Sequence, residues 1–261
     1  MTKWLRWLYR GAVGTMAVLF ATLSYTWLTL PDVRTLRKET PARTSFMLLR
    51  ARQAADAGKS PRFSHRWVSY SRISPTLVRA VLVTEDAAFY QHDGVDLDEI
   101  KASMEINWAK GEFVRGGSTI TQQLAKNLYL TPSKNPYRKL AELFVARRLE
   151  MELSKARILE LYLNLIEWGD GIWGAEAAAR AYFGVPASAL SAEQSALLAG
   201  AIINPRVYRP SHPNARLRNR QAIILARIGY VTPPAPPSPF PSLDIPIGVG
   251  LPPASGGSGS E

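Results

Sequence analysis

The sequence has no cysteine, so disulfides, thiol nucleophiles, zinc ribbons and iron–sulfur clusters are excluded together. Histidine is nearly as scarce. His65, His92 and His212 are scattered and form no HExxH-type cluster, which leaves no case for a structural zinc site. Acidic residues number only 21 against 32 Lys plus Arg, a net charge of +11. The GxxxxGK[ST] loop is missing, so nucleotide hydrolysis is unsupported, and no internal repeat of roughly 20–50 residues is evident. What is present, in 261 residues, is room for one catalytic domain with appendages. An apolar share of 46% with 20% charged residues argues against both full disorder and a polytopic membrane protein. The basic excess points to an anionic partner: nucleic acid, phospholipid headgroups or a phosphorylated substrate.

One long uncharged run stands out, Gly11 to Leu30. As a helix it spans about 30 Å, the thickness of a bilayer's hydrocarbon core. Trp4, Trp7 and Tyr9 precede it, and Tyr25 and Trp27 lie near its far end, as interfacial aromatics do. A cleaved signal peptide would have a shorter apolar region and a small-x-small site, whereas bulky residues fill the second half here. The run is therefore expected to be an uncleaved anchor. Lys3, Arg6 and Arg10 before it balance Arg34, Arg37 and Lys38 after it, so charge alone does not orient it. At the other end, Tyr230 to Glu261 holds nine of the 19 prolines and no Lys or Arg. Such a segment cannot bury enough apolar area to offset its ordering entropy and is expected to be disordered.

Between about Phe46 and Gly229 the apolar spacing is helical. Ser74-Pro75 starts a helix whose Leu77, Val78, Val81 and Leu82 form one face. Asp96 with Glu99, and Ser191 with Gln194, give capping-box patterns. Arg138 to Leu153 carries Leu140, Phe144, Val145, Leu149 and Leu153 as a stripe. No hairpin dipeptide between alternating strands and no βαβ alternation is found, so the fold class is all-α.

Three segments carry candidate chemistry. VTEDAAFYQHDGVD (Val83–Asp96) places Glu85 and Asp86 at the end of an apolar helix, followed by Phe89, His92 and Gly94. A carboxylate at the edge of an apolar surface is a candidate general base, although acidic pairs also end helices in solvent. RGGSTITQQLAKN (Arg115–Asn127) reads as a glycine loop entering a helix capped by Ser118, where free backbone N–H groups attract anions. RKLAELFVARRLE (Arg138–Glu150) puts Arg138 four residues and Lys139 three residues from Glu142. That pattern fits an exposed ion pair or a carboxylate held among cations.

Each segment is ambiguous alone, but their order is not. EDAAFYQHDG, GGSTITQQLAKN, RKLAE, ILELYLN (Ile158–Asn164) and GDGIWGAEAAARAYFG (Gly169–Gly184) follow one another. From about Trp67 to Gly229 the chain closely resembles the glycosyltransferase module of peptidoglycan synthases, in its monofunctional form. No serine has lysine three residues on, so the SxxK nucleophile of an attached transpeptidase is missing. The resemblance implies a lysozyme-like helical lobe with a smaller membrane-proximal lobe, preceded by one transmembrane helix. It implies polymerisation of lipid II into β-1,4-linked glycan with inversion and release of undecaprenyl pyrophosphate.

By the same resemblance Glu85 is the general base. Lys126 and Arg138 would neutralise the pyrophosphate, helped by the turn at Gly117, Ser118 and Thr119. Glu142 is a second catalytic glutamate that either orients these cations or holds a divalent ion (Mg or Mn), no tightly bound cofactor being implied. Gln122 and Asn127 would bind sugar or phosphate, and Asp86, Phe89 and His92 would support. The implied organisation is a cytoplasmic flank at 1–10, the anchor at 11–30, a juxtamembrane segment at 31–66, the catalytic domain at 67–229 and the tail at 230–261. The catalytic domain would lie outside the cytoplasmic membrane, with Trp108, Phe113 and Val114 able to dip into the bilayer. Expected partners are lipid II, the nascent glycan strand, membrane lipids and cell-wall synthesis or division proteins, and no nucleic acid. The rivals are a peptidoglycan hydrolase on the same lobe and a noncatalytic membrane-tethered scaffold.

Overall fold

The computed structural model of the chain describes residues 2–112, 116–130 and 136–231. The apolar run at the N-terminus forms helix α1 (Lys3–Leu28), which starts within the basic flank rather than at Gly11. It is long and apolar enough to cross a membrane. Its threonines do not interrupt it, because Thr15, Thr22 and Thr26 each donate to the carbonyl four residues back. A polar side chain satisfied in this way does not present a free donor to lipid. The C-terminal end of α1 packs on the rest of the fold, with the Trp27 ring edge-on to Phe144 at 6.0 Å.

The remaining helices are α2 (Ser45–Asp56), α3 (Pro75–Glu85), α4 (Leu97–Lys110), α5 (Ile120–Tyr129), α6 (Pro136–Glu152), α7 (Lys155–Leu165), α8 (Ala175–Phe183), α9 (Ala192–Ala201) and α10 (Ala215–Arg227). The expected all-α class holds. The expected face of α3 is the one that is buried: Leu77, Val78, Val81 and Leu82 are all in the core. α3 lies against α9, and α9 against α10, while α5 packs on α6 and α7. Ser191 and Gln194 form the expected reciprocal cap of α9. Ser74 is the N-cap residue of α3, but its hydroxyl serves Leu190 O across the core rather than the helix amides.

The expectation of no hairpin is corrected. Three short strands, β1 (Ser64–His65), β2 (Glu167–Gly169) and β3 (Ile172–Trp173), form a sheet in the order β1-β3-β2, with β2 and β3 antiparallel. Asp170-Gly171 is the hairpin dipeptide, with Gly171 at φ 73°. A Cβ there would lie 2.5 Å from Arg62 O, so the approach of β1 also requires glycine. The signal was hidden because β2 is buried on both faces and shows no alternation.

Asn164, at the end of the ILELYLN segment, ties this sheet region to α7. Fully buried, it accepts from Val68 N at 2.9 Å and donates to Val68 O and Glu160 O at 2.9 and 2.8 Å. Asn164→Ala would leave the Val68 amide and carbonyl unpaired in the interior. A loss of about 2–4 kcal/mol is expected, read as a fall in Tm of roughly 5–12 °C by calorimetry.

Candidate active site

Glu85 is the last residue of α3, three and four residues beyond Leu82 and Val81, so it continues the apolar face into a cleft. There its Oε2 accepts from Gln123 Nε2 at 2.8 Å, and Gln123 Oε1 in turn accepts from Tyr162 Oη at 2.9 Å. Burial is the main influence on the carboxyl and raises its pKa above the usual value. The Gln123 bond and the charges of Arg220 and Lys126 oppose this, and Asp86 adds to it.

Asp86 turns away from the cleft and is buried. Its Oδ2 accepts from the Ile120 amide at 2.9 Å, at the start of α5, and its Oδ1 meets His92 Nε2 at 2.9 Å. His92 Nδ1 accepts from the Gly94 amide at 3.1 Å, which fixes the ring as the Nε2–H tautomer donating to Asp86. Lys155 closes the same knot: it donates to His92 O at 2.6 Å and Glu150 Oε1 at 2.8 Å, and its Nζ lies 4.3 Å from the centroid of the buried Phe89 ring. Glu150 also accepts from Thr121 at 2.6 Å. The supporting trio Asp86, Phe89 and His92 thus holds the backbone that presents Glu85.

The cap of α5 is Thr119, not Ser118. Thr119 Oγ1 accepts from the Gln122 amide at 3.2 Å and donates to Gly94 O at 2.7 Å, and Gln122 Oε1 returns a bond to the Thr119 amide. This corrects the expectation of a turn of free donors, since the amides of Thr119, Ile120 and Gln122 are taken internally. Gly117 packs on α4, where an added Cβ would come within 3.0 Å of Ile100 Cα. Ser118 accepts from Lys139 Nζ at 3.4 Å. Arg115, Phe113 and Val114 lie outside the described residues.

Glu142 is 4% exposed, which removes the exposed-ion-pair reading. Its oxygens accept from Arg138 Nη1 at 2.6 Å and Lys139 Nζ at 2.5 Å. Lys126 is close to the same group. Burial lowers its pKa first of all; Arg138 and Lys139 lower it further, and Glu142 and Glu85 oppose them. Three cations are therefore gathered around one buried carboxylate, and one of them, Lys126, also feels the charge of Glu85.

Lys126, Asn127 and Gln123 line a cavity of about 210 Å³ together with Tyr162, Arg50 and Glu167. The fully buried Gln122 does not line it; it bonds to the Thr119 amide and to Lys139. Gln123, its neighbour, was not picked out from the sequence, although it shares a helical face with Lys126 and Asn127. Tyr162, Arg50, Glu167 and Arg220 were also not picked out, because only the fold brings them near. The ligand atoms of Asp86, His92 and Asp96 lie within 4.8 Å of one another. Those atoms already serve each other, the Ile120 amide and the α4 cap at Glu99 N.

A desolvated carboxylate facing a bank of cations in a helical lobe suits an enzyme that takes a proton from a nucleophile while an anionic group departs. The chain belongs to the transglycosylase family, whose model, described as "Transglycosylase", matches residues 53–229. The biosynthetic peptidoglycan transglycosylase of Laribacter hongkongensis is 43% identical over 230 residues, covering 88% of this chain and 100% of that protein. That of Nitrosomonas eutropha is 45% identical over 222 residues (85% and 90%), and that of an Azoarcus species 47% over 210 residues (80% and 89%).

The two titrations set a pH window. A base must be ionised, so kcat/KM for transglycosylation should rise through a pKa above the ordinary 4.5 of glutamate. It should fall again below the ordinary 10.5 of lysine, as Lys126 loses its proton. In Lys126→Arg the guanidinium keeps its charge, and the alkaline limb of the pH–rate profile should move up by at least one pH unit.

Proposed function

We propose that the chain polymerises lipid II into β-1,4-linked glycan from the outer face of the cytoplasmic membrane, where α1 anchors it with its N-terminus inside. The observation that carries this reading is the buried carboxylate of Glu85 with Lys126 close by, Lys126 in turn sharing Glu142 with Arg138 and Lys139. Glu85 takes the proton from the 4-hydroxyl of the lipid II acceptor as that oxygen attacks the anomeric carbon of the lipid-linked glycan. The bond to undecaprenyl pyrophosphate breaks on the opposite face, which inverts the centre. The growing negative charge on the pyrophosphate falls to the three cations, with Asn127 and Gln123 available to the sugar or phosphate.

Glu142 orients Arg138 and Lys139, and both of its oxygens are committed to them. A divalent ion such as Mg or Mn on this carboxylate would have to displace one of these cations. A hydrolase would need a second carboxyl to protonate the leaving sugar oxygen. Asp86 and Glu167 are poorly suited to that task, since the oxygens of Asp86 are engaged by His92 and the Ile120 amide and Glu167 is paired with Arg50 at 3.0 Å. Pyrophosphate needs no such proton, which favours transfer over hydrolysis.

The similarity to biosynthetic peptidoglycan transglycosylases and the five ordered motifs support the substrate class. The anchor supports a membrane-borne substrate, and polymerisation outside the cytoplasm orients it. α4 supports a membrane contact: Leu97, Met104 and Trp108 lie along one of its faces and are 74%, 67% and 90% exposed. Protein partners in cell-wall synthesis or division remain part of this proposal only as a class.

Two measurements test the reading. Glu85→Gln keeps the size and the Gln123 contact, and labelled lipid II resolved by gel should show polymer formation lowered about 10³-fold or more. Near-normal polymer would reassign the base. Replacing Leu97, Met104 and Trp108 with serine in protein lacking residues 1–30 should lower liposome sedimentation several-fold, and unchanged sedimentation would remove α4 from the membrane contact.

A further inference from the structure

The catalytic cavity does not end at Lys126. Arg50 and Glu167, which line it, also line a second and larger hollow of about 980 Å³ between α2 and the β2–β3 hairpin. Both hollows therefore border this ion pair, in which Arg50 Nε lies 3.0 Å from Glu167 Oε2. Arg50 is held in place from both sides: its Nη1 donates to Gln53 at 3.0 Å, and its guanidinium carbon sits 4.8 Å from the Phe46 ring centroid.

The larger groove is basic. Arg43, Arg50, Lys59, Arg62 and Arg206 line it against only two carboxylates, Glu167 and Asp170. Glu167 is already matched by Arg50. Asp170 is shared, loosely, by Arg62 at 3.5 Å and Arg206 at 3.4 Å, and all three side chains are about half exposed or more. Exposed pairs of this length contribute little to folding, so these guanidinium groups lose little on turning to a ligand. Arg43 leans on the Phe63 ring at 4.9 Å and Lys59 projects into solvent. Beneath the cations the wall is apolar and contains Met47, Ala51, Ala54 and Trp173.

We propose that this groove is a binding site for the carboxylate-bearing peptide of the glycan substrate, entered from the catalytic cavity past Arg50. The inference rests on the proposed function, because it takes the substrate to be a disaccharide-pentapeptide on a pyrophosphate lipid. Of that substrate's parts, the sugars are uncharged and the pyrophosphate belongs with Lys126, Arg138 and Lys139. The remaining anionic part is the peptide, whose free C-terminus is a carboxylate. The cavity of about 210 Å³ is small beside a disaccharide with five residues, whereas the adjoining groove of about 980 Å³ lies at the upper end of small-molecule sites. Its alternation of cationic rim and apolar wall fits a short peptide with acidic and aliphatic side chains. A phospholipid headgroup would also satisfy the cations, but it would not account for a groove that shares Arg50 and Glu167 with the cavity beside Lys126.

The test uses the full chain in detergent with two substrates, lipid II and lipid II whose peptide carboxylates have been converted to amides. The variant is Arg43→Gln/Lys59→Gln/Arg62→Gln, with Lys59→Gln alone as the milder form, both checked for an unaltered Tm. With native lipid II the triple variant should show KM raised about tenfold and kcat within twofold of the unaltered protein. With the amidated substrate the two proteins should have the same KM. An unchanged KM for native lipid II, or an equal rise for both substrates, overturns the peptide assignment, the second pattern pointing to general attraction of anionic lipid. Polymer made by the unaltered protein separates these outcomes from failure of the functional reading, in which neither substrate would be consumed.

Discussion

The bond from the Ile120 amide to Asp86 joins the end of one helix to the beginning of another, and the catalytic geometry depends on it. Asp86 lies next to Glu85 in sequence, so whatever fixes Asp86 fixes the backbone of its neighbour. The carboxylate is buried, accepts the first amide of α5 and is clamped from its other oxygen by His92. A carboxylate at a helix N-terminus also meets the positive end of the helix dipole. Glu85 on α3 and Gln123, Lys126 and Asn127 on α5 are therefore held in one register, although the two helices are 34 residues apart at their point of contact. Lys155, Glu150 and Thr121 extend the knot to α6 and α7, so four helices share one polar centre with paired groups.

Burial then acts on the two sides of the cleft in opposite senses. It raises the pKa of Glu85 and lowers that of Lys126, disfavouring the charged form of each. Each group is most useful when charged, and each is placed where charge costs free energy. The arrangement is tolerable because the two lie close enough to offset one another, and because Glu142 anchors the remaining cations from beneath. The desolvation that strains the free enzyme strengthens the attraction of the cations for a leaving pyrophosphate.

Much of this was legible in the sequence because it follows from local spacing. The apolar face of α3 and its continuation to Glu85 come from helical periodicity, and the Arg138–Glu142 and Lys139–Glu142 pairs from i,i+4 and i,i+3 geometry. The cap of α5 was readable too: Thr119 has a glutamine three residues on, as a reciprocal cap requires, whereas Ser118 has a threonine there. Ser118 merely comes first after the glycines. What the sequence does not show is the long-range part. Arg50 and Glu167 are 117 residues apart, and nothing in either neighbourhood marks one as the partner of the other. The β2–β3 hairpin was missed for a different reason: strands of three and two residues, buried by tertiary packing, carry no period to read.

The placement of the anchor extends the same logic to the substrate. Trp27, near the end of α1, packs on Phe144, two residues beyond Glu142 on α6 and hence about 3 Å further along that helix. Arg148 reaches back to Leu30 O, Arg37 pairs with Glu152 at 2.5 Å, and Arg157 donates to Leu36 O and Glu39 O. The segment leaving α1 is thus bound to α6, which carries Arg138, Lys139 and Glu142, and to α7, so the end of α1 is tied to the helix that bears the cation cluster. A sugar donor free in solution would gain nothing from this. On the proposed function, a donor whose pyrophosphate sits at the bilayer surface, joined to a lipid tail, would meet the cations near the level of its own phosphates. In that reading the anchor would set the position of the electrophile as well as tether the enzyme, and the groove beyond Arg50 would take the part of the substrate that points away from the tail.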